Sequence, residues 1–551
     1  MEKYLVIYDV RGIQKYIFKT NKIKEISGAS YIVKNLLINE LKKCFNRRPD
    51  WKVADDWMNL DGFQMLIDDT ITAEYIYNGG GNLLVAFNCA KNDLDAFNRE
   101  LQLEFLKNSY SLSLACACIP IDFKEDFVDA RKHVNEELKK VKIKMPESVM
   151  QKSLPIVKQD SISGFPVSDV DTYLKENGIK GDRIYSLREK TSVESVLKQI
   201  QPVDTVNKKI DLMLSNYTSD KVISTDKNMI AVVHIDGNDM GVMISNFFDN
   251  MVKYDKNLTI EKLFSEQVKT SRWISKSIYK VFNKDIEEIF AKDEYKEYTR
   301  LIINSGDDIT FICTANIALQ LSREIMISIQ EKENALVPEN STDKIFKQNR
   351  FSSCGGICYI HPHFPFYRAY EIAEEVCSIA KVKAKLDRKE TALKIKKKNK
   401  LDKYYRPTSY LDFHICDNGI IKPVSDIRNE MLIEDNVDLF IRPYLVDKAP
   451  NEKNIEHIDN LLNLLKQFRT KNEKGEYIIA RSTLKEIRNT YEKPRVYNEL
   501  LFRRLKSRKA FDKAFEEFEY KPYDEDGKAL YYDSTTLLDL VDFLTIKEGE
   551  E

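Results

Sequence analysis

The chain has 551 residues, of which 43% are hydrophobic and 31% charged, with a formal charge of −1 and nine cysteines. That length suggests three or four domains with packed cores, and the balanced charge excludes a global polyanion-binding surface. Scattered cysteines without a CxxC pair argue against a disulfide framework or a zinc site, and neither a cleavable leader nor a run of ~20 apolar residues is found, so a soluble cytoplasmic protein is expected.

Taken in order, Tyr4–Tyr8 is a predicted strand ending in Asp9, with Gly12 close behind. The stretch Ser27-Gly28-Ala29-Ser30 reads as a loop, followed by a predicted helix over Ile32–Phe45. Glu74–Phe87 flanks Gly79-Gly80-Gly81 with apolar residues, the pattern of a hairpin. Leu112–Ile121 reads as a strand and Phe127–Lys144 as a basic amphipathic helix. Glu147–Asp226 is mixed and charged, with helix-like pieces at Ser192–Ile200 and Val206–Ser215. Ile230–Ile235 is then a β-rich apolar run ending in Asp236-Gly237, and Leu301–Ile312 a hairpin with Asn304-Ser305-Gly306-Asp307-Asp308 at its tip. Phe351–Ile360 is a predicted strand, Ala369–Lys385 a helix and Ser409–Ile415 a closing strand. Residues 381–403 carry eleven basic and three acidic residues, a solvated face or an electrostatic funnel for phosphates. From Val424 the pattern turns helical, at His457–Phe468, Val496–Glu517 and Ser534–Leu544, which suggests a separate domain that binds RNA or a protein partner.

The order of elements repeats at an offset near 227 residues, with Asp9 matching Asp236 and Gly80 matching Gly306. Two copies of a strand–helix–hairpin–strand–helix unit are therefore expected. Gly81 and Asn82 stand where the second copy has Asp307 and Asp308, so the first copy reads as a degenerate partner that binds without catalysing. The expected fold class is α+β: a degenerate first copy (1–145), a small bridging domain (146–225), a catalytic second copy (226–415) and a helical C-terminal domain (416–551).

Two adjacent aspartates at a hairpin tip repel each other unless a cation sits with them. Alone, such a turn is more often an ordinary polar turn. Beside a strand that ends in Asp236, it becomes the arrangement that holds two divalent cations, Mg²⁺ or Mn²⁺, for phosphoryl transfer. Gly237 would let its carbonyl approach a metal. His361 and His363 flank Pro362 and read as turn residues.

With these residues in place, the sequence resembles the large palm polymerase/cyclase subunit of type III CRISPR effector complexes. The resemblance rests on HIDGNDMG at 234–241, NSGDD at 304–308, HPHFPFYRAYEIAEEVCSIAK at 361–381 and SGASYIV at 27–33. It implies ferredoxin-like palms, a two-metal site, and conversion of ATP into oligoadenylates, usually cyclic, that act as second messengers in antiviral defence. The catalytic and metal residues would be Asp236, Asp307 and Asp308, with the Gly237 carbonyl. Lys381 would meet the triphosphate, with Lys385 one turn on. Gly28, Ser30 and the Gly79, Gly80, Gly81 turn would hold the second ATP. Asn238, Ser305 and Gly306 complete the nucleotide-binding candidates. Guide or target RNA and other effector-complex subunits are the further partners implied. The sequence departs from the family in reading DGNDMG for DGDNMG, in having no His-Asp pair before the first palm strand, so that no DNase activity is expected, and in lacking the cysteine-rich zinc motif of the bridging domain. Rival readings are a non-catalytic RNA-binding scaffold of an RNA-guided complex and a stand-alone dinucleotide cyclase using GTP.

Overall fold

The computed structural model describes residues 2–18, 23–79, 81–109, 112–145, 167–170, 184–186, 229–252, 259–296, 298–331, 351–361, 364–397, 408–416, 422–431, 433–434, 437–438, 442–447, 457–468, 481–490, 493 and 495–507. The first sheet is built from β1 (Lys3–Arg11), β2 (Lys52–Ala54), β3 (Ile71–Gly79), β4 (Asn82–Asn88) and β5 (Ser113–Ile121), in the order β2-β3-β4-β1-β5. Its main helices are α1 (Ile23–Asn46), α2 (Lys91–Ser109) and α3 (Phe127–Lys144). The second unit contains β6 (Ile230–Gly237), α4 (Met240–Val252), α5 (Ile260–Tyr279), β7 (Thr299–Ser305), β8 (Asp308–Thr314), α6 (Ala318–Ile329), β9 (Ser353–Ile360), α7 (Phe366–Lys397), β10 (Ser409–Ile415) and β11 (Tyr444–Val446). Its sheet runs β11-β10-β9-β6-β8-β7.

Four consecutive strands of each sheet have one order: β3-β4-β1-β5 in the first, β7-β8-β6-β9 in the second. Register matches as well as order. Asp9 lies opposite Asn82 on one side and Ala115 on the other; Asp236 lies opposite Asp308 and Cys354. Each unit is thus an antiparallel four-stranded sheet in which a hairpin pairs with the first strand, backed by helices. The fold is α+β with two palm-like sheets.

Local sequence accounts for these elements. β6 is a β-branched run, buried at every position but Asp236, as a central strand covered on both faces requires. In α3, Phe127, Ala130, Val134 and Leu138 are buried at helical spacing, and the Asp126 side chain caps the start by accepting from Asp129 N–H at 3.0 Å. Helix α7 approaches β9 so closely that a Cβ on Gly356 would overlap the Ala373 carbonyl oxygen.

The two units interlock reciprocally. Helix α1 of the first packs on β7 of the second, and α5 of the second packs on β3 of the first. One hydrophobic core joins Tyr8, Leu36 and Phe97 of the first unit to Val232, Ile302 and Ile312 of the second sheet. A buried ion pair crosses the same boundary: the Arg272 guanidinium on α5 donates to Glu74 Oε1 at 2.7 Å, to the Tyr75 carbonyl at 2.8 Å and to the Gly62 carbonyl. Glu74 also accepts from the Gln64 and Met65 N–H groups, each at 2.9 Å. Such a pair is tolerable because further hydrogen bonds, from two backbone N–H groups to Glu74 and from the guanidinium to two carbonyls, offset its desolvation.

Three sequence expectations change. The Ser27-Gly28-Ala29-Ser30 stretch is helix, not loop, since α1 begins at Ile23 and buries Ile26 and Ala29 completely. The helix expected over Ala369–Lys385 runs from Phe366 to Lys397. Beyond residue 416, where a separate helical domain is expected, β11 extends the second sheet, and Ile458, Leu465, Ile487 and Phe502 join the second unit's core. Two helices there, Ile458–Phe468 and Arg495–Lys506, overlap the expected segments His457–Phe468 and Val496–Glu517. In the expected bridging domain the described residues form one strand pair, Val167–Val170 with Ile184–Ser186. The pieces at 192–200, 206–215 and 534–544 lie outside the described residues.

Candidate active site

Strand pairing brings the acidic residues together. Asp236 is next to last in β6, directly opposite Asp308, the first residue of β8. Gly306, at φ +66°, turns the chain between β7 and β8 and leaves Asp307 at the tip. The Gly237 N–H donates to the Asp307 carbonyl at 3.3 Å, and a Cβ on Gly237 would stand 2.8 Å from the Asp307 Cβ. Glycine is therefore required for the close approach of the two acidic segments.

The electrostatics follow from that crowding. Burial first, then the charges of Asp236 and Asp307, push the Asp308 carboxyl up to about 7. Burial and Asp236 raise Asp307 as well. One cation already answers the charge: Lys381, on α7, pairs with Asp236 and donates to the Gly237 carbonyl at 3.4 Å. Burial alone would lower the Lys381 ammonium, but Asp236 outweighs it and the net shift is upward. Lys381 thus holds the same two groups that sequence reasoning assigns to a metal.

His234 is the residue that sequence reasoning missed. Ligand atoms of His234, Asp236 and Asp308 lie within 4.8 Å of one another, a set able to hold a metal ion. The ring is buried, which lowers its pKa to about 4 and keeps it neutral, and its Nδ1 lies 3.1 Å from Thr310 Oγ1. Alternation along β6 puts positions 234 and 236 on one face, and that signal was present in HIDG.

The other candidates separate. Gly79, Gly81, Gly306 and Asp307 line a cavity of about 510 Å³ between the two units, together with residues of α1 and α5. Gly81, at φ +78°, takes the left-handed backbone that favours glycine. Asn238 turns inward instead: it is buried, and its amide donates to Ser352 Oγ at 3.3 Å and to the Thr408 carbonyl at 3.1 Å, tying the loop after β6 to the starts of β9 and β10. Asp239, next to it, takes the left-handed backbone at φ +49°. Lys385 is exposed, one turn beyond the paired Lys381. Ser30 is half-buried in α1 and is not among the described residues lining the cavity, and Gly28 lies in the same helix. Ser305 ends β7 opposite Asp308. Gly80 and His363 lie outside the described residues, and His361 is exposed.

In the first unit the equivalent strand end keeps its carboxylate and a lysine. Lys142 lies 2.6 Å from Asp9. Both lysines stand fifteen residues beyond the first residue of their helices, 127 to 142 and 366 to 381. The lost groups are the two turn carboxylates, replaced by Gly81 and Asn82.

Residues 229–391 match the family model for the second palm domain of Cas10/Cmr2. This segment resembles a Cas10/Cmr2 palm. It spans β6, the acidic hairpin, β9 and most of α7, so Asp236, Asp307, Asp308 and Lys381 all fall inside it. Among solved structures, the Csm1-Csm4 cassette in complex with cA4 matches at a TM-score of 0.50 and 13% identity, covering 99% of this chain and 70% of that one. The same cassette with pppApApA matches at 0.50 and 14%, covering 98% and 69%, and with cA3 at 0.50 and 14%, covering 99% and 70%. At such identity the likeness is one of fold, and it extends beyond the Cas10/Cmr2 palm to nearly the whole chain. Comparison with curated proteins finds no match. No helix among the described residues is long and apolar enough to cross a membrane.

Proposed function

We propose that the protein is a metal-dependent nucleotidyltransferase that joins ATP into oligoadenylates, cyclic ones included, as second messengers in a type III CRISPR defence system. The observation that carries this reading is the pairing of Asp236 with Asp308 on adjacent strands of a Cas10/Cmr2-like palm, with Asp307 in the turn beside them and lining a cavity shared with a second palm. Solved relatives of the same fold are described in complex with cA4 and with pppApApA, which agrees with oligoadenylate chemistry.

In the reaction the 3′-hydroxyl of one ATP attacks the α-phosphate of another, forming a phosphodiester as pyrophosphate leaves with its bonding electron pair and the hydroxyl loses its proton. The donor set fits a divalent pair: hard carboxylate oxygens from Asp236, Asp307 and Asp308, a carbonyl at Gly237, and two carboxyls whose pKa values are raised by burial first and by neighbouring carboxylates second. Two Mg²⁺ or Mn²⁺ ions, when bound, supply Lewis acidity to the hydroxyl and charge neutralisation to the phosphates. Lys381, released from Asp236, is placed to meet the triphosphate. The first palm, with Gly79 and Gly81 at the cavity and no carboxylate pair, holds the second nucleotide and makes the attack effectively intramolecular. Activation by foreign RNA within an RNA-guided complex belongs to the same reading.

The test is to incubate the purified protein with each labelled nucleoside triphosphate and Mg²⁺ or Mn²⁺, then resolve the products. Adenylate oligomers from the wild type, lost in the Asp307→Ala/Asp308→Ala double variant, are expected. Undiminished transfer by the double variant places the chemistry elsewhere, and products from GTP alone replace the oligoadenylate reading with a dinucleotide cyclase using GTP.

A further inference from the structure

Among the polar residues that line the cavity between the palms and are not used by the chemistry above, Asn304 has an unpartnered side chain. Asn304 sits at the end of β7, two residues before Gly306. It is 8% exposed, and neither its Oδ1 nor its Nδ2 has a hydrogen-bond partner among the described residues. It lines the cavity together with Asp307. A carboxamide buried without partners destabilises a fold, and native proteins keep few of them. A ligand in the cavity would satisfy both atoms at once. The repeat supplies an independent observation. Asn304 lies opposite Ile309 across its hairpin, and Asn78 lies opposite Leu83 across the other. These are equivalent positions, and Asn78 lines the same cavity. The two palms therefore present the same side chain to one shared space.

The chemistry of the group restricts what it can read. A carboxamide offers an acceptor and a donor side by side. Adenine presents the matching pair, its 6-amino donor beside a ring-nitrogen acceptor. Guanine carries a carbonyl at that position, so its N7 edge offers two acceptors and leaves Oδ1 unpaired. Ile244, Phe248 and Ile274 line the same cavity and supply apolar surface for the faces of a base. We propose that Asn304 reads the 6-amino edge of an adenine base and is a specificity-determining residue for ATP. This deepens the nucleotidyltransferase reading and rests on it.

Calorimetric titration tests it, using the wild type, Asn304→Leu and Asn304→Ala against ATP, GTP, 2′-deoxy-ATP and purine riboside triphosphate, which lacks only the 6-amino group. The wild type should bind ATP about tenfold more tightly than purine riboside triphosphate. In both variants that gap should close to about twofold. Asn304→Leu should also melt higher than the wild type without nucleotide, because it removes a buried unpaired group; a lower melting point would mean the carboxamide has a structural partner and overturn the inference. A tenfold gap that persists in the variants overturns it too. So does a loss that follows the 2′-deoxy analogue instead, since the side chain would then read the ribose. If the wild type binds no triphosphate, the nucleotidyltransferase reading fails and takes this inference with it. If the wild type polymerises ATP but the variants keep full discrimination, this inference fails alone.

Discussion

Replacing Asp308 with asparagine should stabilise the metal-free protein above neutral pH while abolishing transfer. The Asp308 carboxyl moves from an ordinary value near 3.8 to about 7 through burial and the charges of Asp236 and Asp307. Between those values the folded protein holds a proton that the unfolded chain has released. Stability therefore falls as pH rises from about 4 to about 7, and the penalty is complete above that. At about 1.4 kcal/mol per pKa unit the penalty is on the order of 4 kcal/mol, and sharing of the charge with Asp307 reduces it to about 2–4 kcal/mol. Asparagine keeps the shape and removes the charge. In EDTA, urea unfolding should show the variant more stable by about that amount at pH 8 and equal to the wild type near pH 4. Adding Mg²⁺ should stabilise the wild type by binding the folded state alone and the variant much less. Parallel pH profiles for the two proteins, or a variant less stable at pH 8, would refute the account of charge crowding.

Three further perturbations probe the frame around the site. Arg272→Met should cost about 3–5 kcal/mol, because it strands the buried Glu74 carboxylate, and Arg272→Met/Glu74→Leu should recover most of it in chemical denaturation; a single variant within about 1 kcal/mol of the wild type would show the pair to be idle. Lys381→Met should tighten Mg²⁺ binding, measured by titration, because the ammonium and the ion compete for Asp236, while turnover falls; an unchanged Mg²⁺ affinity would remove the competition. Gly356→Ala should destabilise by about 1–3 kcal/mol or more, since the new methyl overlaps the Ala373 carbonyl and must push α7 off β9, and a neutral melting temperature would contradict the packing.

Much of this arrangement was legible because short-range chemistry and long-range pairing agree. The apolar run at 230–235 has one strand solution, the acidic turn one hairpin solution, and the repeat offset aligned Asp9 with Asp236 before any register was known. The failures have physical causes. Ser27, Gly28 and Ser30 favour turns locally, yet Ile26 and Ala29 belong to a buried helical stripe, and packing overrode propensity. His234 alternates onto the face of Asp236, but a histidine inside an apolar run first suggests core. The contacts of Asn238, a nucleotide-binding candidate by resemblance, with Ser352 and Thr408 join residues far apart in the chain and leave no local pattern. The Arg272–Glu74 pair joins residues 198 positions apart, a distance over which no local pattern speaks. Nor could spacing show that the segment after residue 416 would feed a strand back into the second sheet.

Joining both palms in one chain changes what mutation can do to them. Were the same interlocked pair made from two identical subunits, every substitution would enter on both sides of the cavity. Exchanging a turn carboxylate for glycine would then disarm both halves at once. Here the two halves are covalently one molecule, and the shared core with the Arg272–Glu74 lock keeps them in register whatever happens to either turn. One half is free to drift. Gly81 and Asn82 record that drift, while Asp9, Lys142 and Asn78 persist beside them. Linkage of this kind turns a symmetric cleft into one with a direction, whose two walls are unequal.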